Sequence, residues 1–302
     1  MFKKILVPLD GSPMAERALP PAVALARAGG AEIILLRSSK PVYTVMPEFA
    51  GEYEWSWPAE AHDEARHAAR TYLDDLQLTS VGPEVAVRRQ VVGGDEAGAI
   101  IGIAEAEEVD LIVMTSHGRS GARRWLLGSV TERVLHHASC PVMVIRGSEP
   151  IHHVIVPLDG SRLAEKALGP GVFVAQAFNA DTTLLRVNPI TKAADLDYGA
   201  QVGGEAEAFV RKSAHEQAEN YLAYAERRVV HAGTDVNTVV LDGPVVDSML
   251  DFIEQKHVDL VIMTTHGRSG LKRWVYGSVT SKVMCGSRCS ILIIRPPQGD
   301  MQ

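Results

Sequence analysis

The sequence predicts an α/β protein with two tandem domains, each a doubly wound parallel five-stranded sheet with helices on both faces. Two observations support this fold class. The 302-residue chain repeats itself at a constant offset of 149 residues, and within each copy short apolar runs alternate with helical patterns. A repeat of this length is a whole domain, because solenoid repeats have only about 20–50 residues. We expect the domains at residues 1–147 and 151–297.

The repeat is clearest in one long segment. Residues 110–135 align with residues 259–284 without a gap, and 16 of the 26 positions are identical. The seam between the copies, residues 146–150, is short and polar and contains glycine and proline. We expect so short a linker to hold the domains together as a pseudo-twofold pair with the fifth strands at the contact, and a homodimer of the whole chain stays possible.

Each element of the first copy has a local signal. Ser12 and Pro13 form an N-cap with proline at the first helical position, and Gly29 and Gly30 end that helix. The five predicted strands are apolar or alternating runs at residues 5–8, 32–37, 84–91, 111–114 and 142–145. The later helices are predicted at residues 58–78, 96–107 and 129–137. One apolar stripe is expected along the first of these, at Ala61, Ala65, Ala68, Tyr72 and Leu76.

Composition excludes several classes of protein. Apolar residues make up 46% of the chain, which is enough for a core, and the net charge of -7 lacks the basic footprint of a nucleic-acid binder. Three cysteines cannot form a disulfide framework. We find no 18-residue apolar run and no signal-peptide pattern at the start. We therefore expect a cytoplasmic protein with neither a membrane nor a nucleic acid as partner.

Two segments follow predicted strand ends, where doubly wound sheets bind ligands. Pro8–Ser12 comes directly after the first strand, and the glycine-punctuated segment 115–131 comes after the fourth. Glycines let backbone N–H groups approach an anion, and a helix start adds the positive end of its dipole. The second segment therefore predicts a phosphate cradle. It is not the common P-loop, because no Gly-Lys-Ser/Thr follows the glycines.

Other interpretations of the same residues stay open. Asp10 could be a turn residue before the Ser12 cap. Ser129 could be the N-cap of a capping box with Glu132, although the second copy has Ser281 where the box needs glutamate. Arg119 could bind phosphate or face solvent.

The motifs together resemble the universal stress protein family. They are the Val-Pro-Leu-Asp-Gly-Ser strand end and the run His-Gly-Arg-Ser-Gly, and both occur in each half of the chain. Nine residues lie between the first glycine of that run and the Gly-Ser that follows. ATP-binding members of that family carry one further glycine, which is Thr115 in this sequence and Thr264 in the second copy. A threonine N–H can still donate at that position.

The resemblance implies an adenine nucleotide site in each domain, with ATP favoured over other adenine nucleotides and with Mg²⁺ or Mn²⁺ held through the phosphates. Asp10 and Asp159 would meet the adenosine, and Ser38 and Val187 would offer backbone groups to the base. The other implied site residues of the first copy are Pro8, Leu9, Met114, Thr115, Gly118, Arg119, Gly128, Ser129, Val130 and Thr131. Those of the second copy are Pro157, Leu158, Met263, Thr264, Gly267, Arg268, Gly277, Ser278, Val279 and Thr280.

The function favoured by the sequence is an ATP-binding stress or signalling module with an unknown protein partner. One rival is a slow ATPase, for which His117 and His266 are the candidate bases, although a structural role is favoured for both. Another is a nucleotide-free interaction module. The aromatic segment 41–60 could be a lid, a partner patch or a loop packed on its own domain. Cys140 and Cys289 are interpreted as small core residues.

Overall fold

The structure is a computed structural model that describes residues 1–39, 59–76, 81–116, 127–147, 150–189, 204–230, 235–265 and 277–295. The chain divides into two compact units, with the division close to residue 142. Within the described residues, no helix is both long enough and apolar enough to cross a membrane.

The first half folds as an alternation of strands and helices. Its elements are β1 (Lys4–Pro8), α1 (Pro13–Glu16), α2 (Leu19–Gly29), β2 (Glu32–Ser39), α3 (Ala59–Asp75), β3 (Val87–Gly93), α4 (Glu96–Ala106), β4 (Leu111–Thr115), α5 (Ser129–His137) and β5 (Val142–Ile145). The strands lie in the order β3-β2-β1-β4-β5, and β1 pairs in parallel with both β2 and β4. The order reverses between β1 and β4, which is the switch point of a doubly wound sheet.

The second half repeats this arrangement. Its elements are β6 (His153–Pro157), α6 (Arg162–Glu165), α7 (Leu168–Phe178), β7 (Asp181–Asn188), α8 (Gly204–Val230), β8 (Val236–Asp242), α9 (Val245–Gln255), β9 (Leu260–Thr264), α10 (Ser278–Gly286) and β10 (Ser290–Ile294). The strands lie in the order β10-β9-β6-β7-β8, and β6 pairs in parallel with both β7 and β9. The predicted fold class is confirmed.

Fully buried strands contribute to the core of the first half. All five residues of β4 are buried, and so are the four residues of β5. A strand buried on both faces reads as a continuous apolar run, and that is why β4 was predicted so closely. Strand β3 begins at Val87, three residues later than predicted, because its ladder with β2 starts at the pair Ile33 and Val87.

The first predicted helix is in fact two helices. Helix α1 ends at Glu16 and α2 begins at Leu19. Pro20 and Pro21 lack the N–H groups that would bond back to residues 16 and 17, so one continuous helix cannot form. The second half breaks at the same place, between α6 and α7.

The predicted apolar stripe of α3 is confirmed in part, because Ala61, Ala65, Tyr72 and Leu76 are half-buried. Ala69 and Leu73 are the buried residues near its centre, whereas Ala68 is exposed. Ala65, Ala68 and Ala69 line a cavity instead of forming a continuous core contact. Small side chains on this face of α3 therefore leave room for a ligand.

Candidate functional site

A cavity of about 480 Å³ lies in the first domain at the carboxyl ends of β1, β2 and β4. This volume is within the range of about 300–1,000 Å³ that is typical of small-molecule sites. The cavity is lined by Pro8, Leu9, Asp10, Ala15, Leu36, Arg37, Ser38, Ser39, Ala65, Ala68, Ala69, Glu96, Ala99, Ile100, Met114, Thr115, Gly128, Ser129, Val130 and Thr131.

The cavity brings together site residues that the sequence places on four separate segments. The predicted residues that line it are Pro8, Leu9, Asp10, Ser38, Met114, Thr115, Gly128, Ser129, Val130 and Thr131. Gly118 and Arg119 of the same predicted set lie outside the described residues, as do His117 and residues 41–58 of the aromatic segment.

Asp10 holds the turn that follows β1. Its Oδ1 atom accepts hydrogen bonds from the Ser12 backbone N–H at 2.9 Å and from the Ser12 hydroxyl at 2.6 Å. Ser12 Oγ in turn accepts from the Ala15 N–H at 3.1 Å and caps α1. A carboxylate has about four acceptor positions, so Asp10 can stabilise the turn and still accept from a ligand hydroxyl.

The N-terminus of α5 opens into the cavity without a side-chain cap. The N-cap residue is Gly128, with φ -64° and ψ 150°, and it makes no side-chain cap hydrogen bond. Ser129 is the first helical residue, so the alternative in which it caps the helix was wrong. The first-turn N–H groups of Ser129, Val130 and Thr131 have no partner within the helix, which suits them to bind an anion.

The Thr131 hydroxyl has a structural role. It is buried and donates to the carbonyl oxygens of Thr115 at 3.0 Å and Ser116 at 3.2 Å. The Gly128 N–H also donates to the Ser116 oxygen, at 2.8 Å. These bonds join the start of α5 to the end of β4, so Thr131 can offer a ligand its N–H but not this hydroxyl hydrogen.

Ser38 and Met114 form part of the wall on opposite sides of β1. The Ser38 hydroxyl donates to the Gly94 carbonyl at 2.7 Å. The hydroxyl is therefore engaged within the protein, which is consistent with the prediction that Ser38 offers backbone groups to the base. Met114 is 5% exposed and supplies apolar surface from β4.

An arginine, a tyrosine and a glutamate next to the cavity were missed by the sequence reasoning. The Arg37 guanidinium lies 4.5 Å from the centre of the Tyr72 ring, and the Tyr72 hydroxyl donates to Glu16 Oε1 at 2.8 Å. Burial and the hydrogen bond to Glu16 raise the pKa of Tyr72 well above its usual range. Arg37 also packs against Gly11, whose φ of +82° favours glycine.

The same three residue types recur in the second domain. Arg186 lies 4.9 Å from the centre of the Tyr221 ring, and the Tyr221 hydroxyl donates to Glu165 Oε1 at 3.3 Å. The sequence signal for this contact was the run Leu-Leu-Arg, which occurs at residues 35–37 and again at residues 184–186. A charged residue at the end of an apolar strand needs a partner, so the repeated arginine indicated a repeated contact.

The remaining missed residues carry only weak sequence signals. Except for Glu96, they are small or apolar side chains of α1, β2, α3 and α4, which look like ordinary core positions until these elements are placed. These residues are Ala15, Leu36, Ser39, Ala65, Ala68, Ala69, Glu96, Ala99 and Ile100.

The second domain places its predicted residues at equivalent positions. Asp159 Oδ1 accepts from the Ser161 N–H at 2.8 Å, and Gly277 is the N-cap of α10 without a side-chain bond. The predicted residues that lie at strand ends or in the first turn of α10 are Pro157, Leu158, Val187, Met263, Thr264, Ser278, Val279 and Thr280. Gly267 and Arg268 lie outside the described residues, as does His266.

The cysteines and the possible metal ligands were also located in the structure. Cys140 and Cys289 are buried, whereas Cys285 is exposed. In the part of the chain that the structure describes, no three His, Cys, Asp or Glu side chains are grouped so that they could hold a metal ion.

Comparison with known proteins identifies the family. The model of the universal stress protein family matches residues 1–146 and again residues 150–295. This chain belongs to the universal stress protein family. The double match agrees with the repeat that the sequence shows.

Some relatives are about half as long as this chain, and others have a similar length. A universal stress protein of Thermus aquaticus is 35% identical over 146 residues, which cover 48% of this chain and all of that protein. A universal stress protein of Mycolicibacterium smegmatis is 26% identical over 299 residues, which cover 97% of each chain. The crystal structure of a universal stress protein from Archaeoglobus fulgidus shares the fold, with a TM-score of 0.65, 20% identity and coverage of 97% of this chain and 98% of that one.

Proposed function

We propose that each domain of this universal stress protein binds one adenine nucleotide, with ATP as the favoured ligand, at the carboxyl end of its sheet. The observation that carries the proposal is the first-domain cavity, which joins the Asp10 turn to an uncapped helix N-terminus. One end of the cavity suits a phosphate and the rest suits a nucleoside.

The phosphate end is the first turn of α5. Its free N–H groups carry about half a positive elementary charge through the helix dipole. Gly128 lines the cavity as the N-cap, and a residue without a side chain lets an anion approach the backbone closely. In this proposal Mg²⁺ or Mn²⁺ arrives with the nucleotide and is held mainly by the phosphates.

The nucleoside end lies towards β2 and α3. The apolar side chains of Leu36, Met114 and Ile100 supply surface for a base. The Asp10 carboxylate lies between the two ends and can accept from ribose hydroxyls. Neighbouring parallel strands are about 4.8 Å apart, so β4 and β2 are about 10 Å apart with β1 between them. That span suits a nucleotide with its phosphates at α5 and its base at α3.

The proposed activity is nucleotide-dependent signalling in a cytoplasmic stress response. A nucleotide at the start of α5 would also meet the segment that joins β4 to α5 and so change the surface presented to a protein partner. The pseudo-twofold packing of the two domains stays a prediction.

The experiment uses a proline at the first position of each phosphate-binding helix. Ser129→Pro removes one N–H and one hydroxyl from the proposed cradle. Proline suits this position, because Gly128 already has the extended conformation that precedes a proline. Ser278→Pro is the matched change in domain two, where Gly277 is also extended, with ψ 144°.

Calorimetric titration with Mg-ATP gives the result. We expect two sites per unmodified chain, one site in either variant and none in the double variant, with unchanged circular dichroism. An unmodified chain that does not bind ATP, or a double variant that binds it fully, would overturn the proposal.

A further inference from the structure

The two domains differ at the nucleoside end of the site. In domain one the ladder of β2 and β3 ends at the pair Ser39 and Gly93. In domain two the ladder of β7 and β8 ends at the equivalent pair, which is Asn188 and Asp242. Ser39 lines the domain-one cavity, and Asn188 is the larger residue at the equivalent position of domain two.

The side chain of Asn188 is fixed by two acceptors. Its Nδ2 atom donates to Asp242 Oδ1 at 3.1 Å and to the Ala214 carbonyl at 3.4 Å. Asn188 is only 9% exposed. Because both partners can only accept, the NH₂ group must face them, and the carbonyl oxygen Oδ1 is the other end of the amide. Ala214 corresponds to Ala65, which lines the domain-one cavity.

A histidine holds Asp242 in place. His215 Nδ1 lies 2.8 Å from Asp242 Oδ2, and a carboxylate accepts, so Nδ1 carries the hydrogen of this bond. His215 Nε2 lies 3.7 Å from Glu219 Oε1 on the same helix. Domain one has Arg66 at the position of His215 and Gly93 at the position of Asp242, so it cannot build this network.

We propose that Asn188, oriented by Asp242 and His215, makes the domain-two site select a purine that carries an amino group at position 6 over a purine that carries an oxygen there. The inference rests on the proposed function and deepens it by naming a specificity residue. A fixed Oδ1 accepts from an amino group and repels a carbonyl oxygen. The Ser39 hydroxyl of domain one can rotate and either donate or accept, so that domain discriminates less.

The test compares ATP with inosine triphosphate, which differs by an oxygen at position 6. The Ser129→Pro chain reports domain two alone, and the Ser278→Pro chain reports domain one alone. Each is titrated calorimetrically with both nucleotides in the presence of Mg²⁺. We expect a preference for ATP of about tenfold or more in domain two, because a site built around one polar group leaves that group unpaired with the wrong ligand. Domain one should show a smaller preference.

Two further variants assign the preference to the network. In the Ser129→Pro chain, Asn188→Ser and Asp242→Gly each install the residue that domain one uses. We expect both to reduce the preference for ATP towards the domain-one value. Asp242→Gly should do so although Asn188 is still present, because its amide is then no longer oriented. Thermal unfolding of each variant confirms that the chain is folded.

The outcomes separate the two proposals. If the unmodified chain binds no ATP, the proposed function fails. If it binds ATP, the inference is overturned by any of three results. These are equal preferences in the two domains, a preference that survives both variants, and a Ser129→Pro chain that binds no ATP.

Discussion

Replacing Gly11 with alanine tests how the wall of the site supports the Asp10 turn. Gly11 has φ +82°, and a Cβ added there would overlap Arg37 Nη1. The guanidinium would have to leave its position over the Tyr72 ring. Gly30 is the matched control, because its φ of +61° is also positive but an added Cβ meets no atom within 4 Å.

The expected loss of stability is the sum of two terms. A left-handed backbone conformation costs an L-residue about 1–2 kcal/mol, and both substitutions incur this cost. Displacement of a guanidinium from an aromatic ring costs about 0.5–2 kcal/mol more, and only Gly11→Ala incurs it. We therefore expect about 1.5–4 kcal/mol for Gly11→Ala and about 1–2 kcal/mol for Gly30→Ala.

The assay is urea unfolding followed by circular dichroism, together with calorimetric titration of Mg-ATP. In a double-mutant cycle with Arg37→Met, the extra cost of Gly11→Ala should disappear, because the overlapping group is gone. Gly11→Ala should also weaken ATP binding, since it disturbs the residue next to Asp10, whereas Gly30→Ala should not. If Gly11→Ala and Gly30→Ala lose the same stability while Arg37 is present, the guanidinium adds no cost and the prediction is wrong.

Three other predictions concern single side chains. Thr131→Val should destabilise the fold by about 1–3 kcal/mol in chemical unfolding, because it removes the buried hydroxyl that donates to the Thr115 and Ser116 carbonyl oxygens; an unchanged midpoint would show that these bonds are dispensable. Ser12→Ala should cost about 1 kcal/mol as the loss of a helix cap, whereas Ser129→Ala should change stability by less than about 0.5 kcal/mol while it weakens ATP binding; equal unfolding midpoints for the two variants would contradict the assignment of caps. Burial beside a glutamate raises the pKa of Tyr221 from 10.0 to about 12, so the stability contributed by its neutral form is complete below pH 10 and is lost as the pH rises towards 12. Tyr221→Phe should therefore lose less stability than the unmodified chain over that interval, and identical pH dependence in the two proteins would rule out this linkage.

The sequence predicted the fold through patterns that depend on local structure. The short apolar run at residues 111–114 indicated a buried strand, and Ser12 with Pro13 marked a helix start that the structure retains. The interruption of that helix before Leu19 was also encoded, by Pro20 and Pro21, but two prolines in a first helical turn are ordinary and so gave no clear warning.

The sequence predicted those parts of the candidate site that depend on strand ends and on the spacing of glycines. Asp10 and Gly128 are adjacent to strand and helix ends, and their positions follow from the fold class alone. Arg37 and Tyr72 were missed because their contact joins β2 to α3, and such a contact depends on how a helix is rotated over the sheet. The same rotation explains why Ala69 and Leu73, the buried residues near the centre of α3, were not placed on the predicted stripe.

The difference between the two domains could not be predicted from either copy alone. Asn188 and Asp242 occupy positions where Ser39 and Gly93 stand in the first copy, and none of these residues belongs to the repeated motifs. Their meaning appears only when strand register places them side by side.

If both domains bind an adenine nucleotide, the chain should bind two of them. The most direct test is native mass spectrometry of the freshly purified chain, followed by release of bound nucleotide and its identification by chromatography. We expect a mass increase that corresponds to two adenine nucleotides per chain, with ATP as the released species. Purified chain that is empty and that takes up no nucleotide from millimolar Mg-ATP would contradict it.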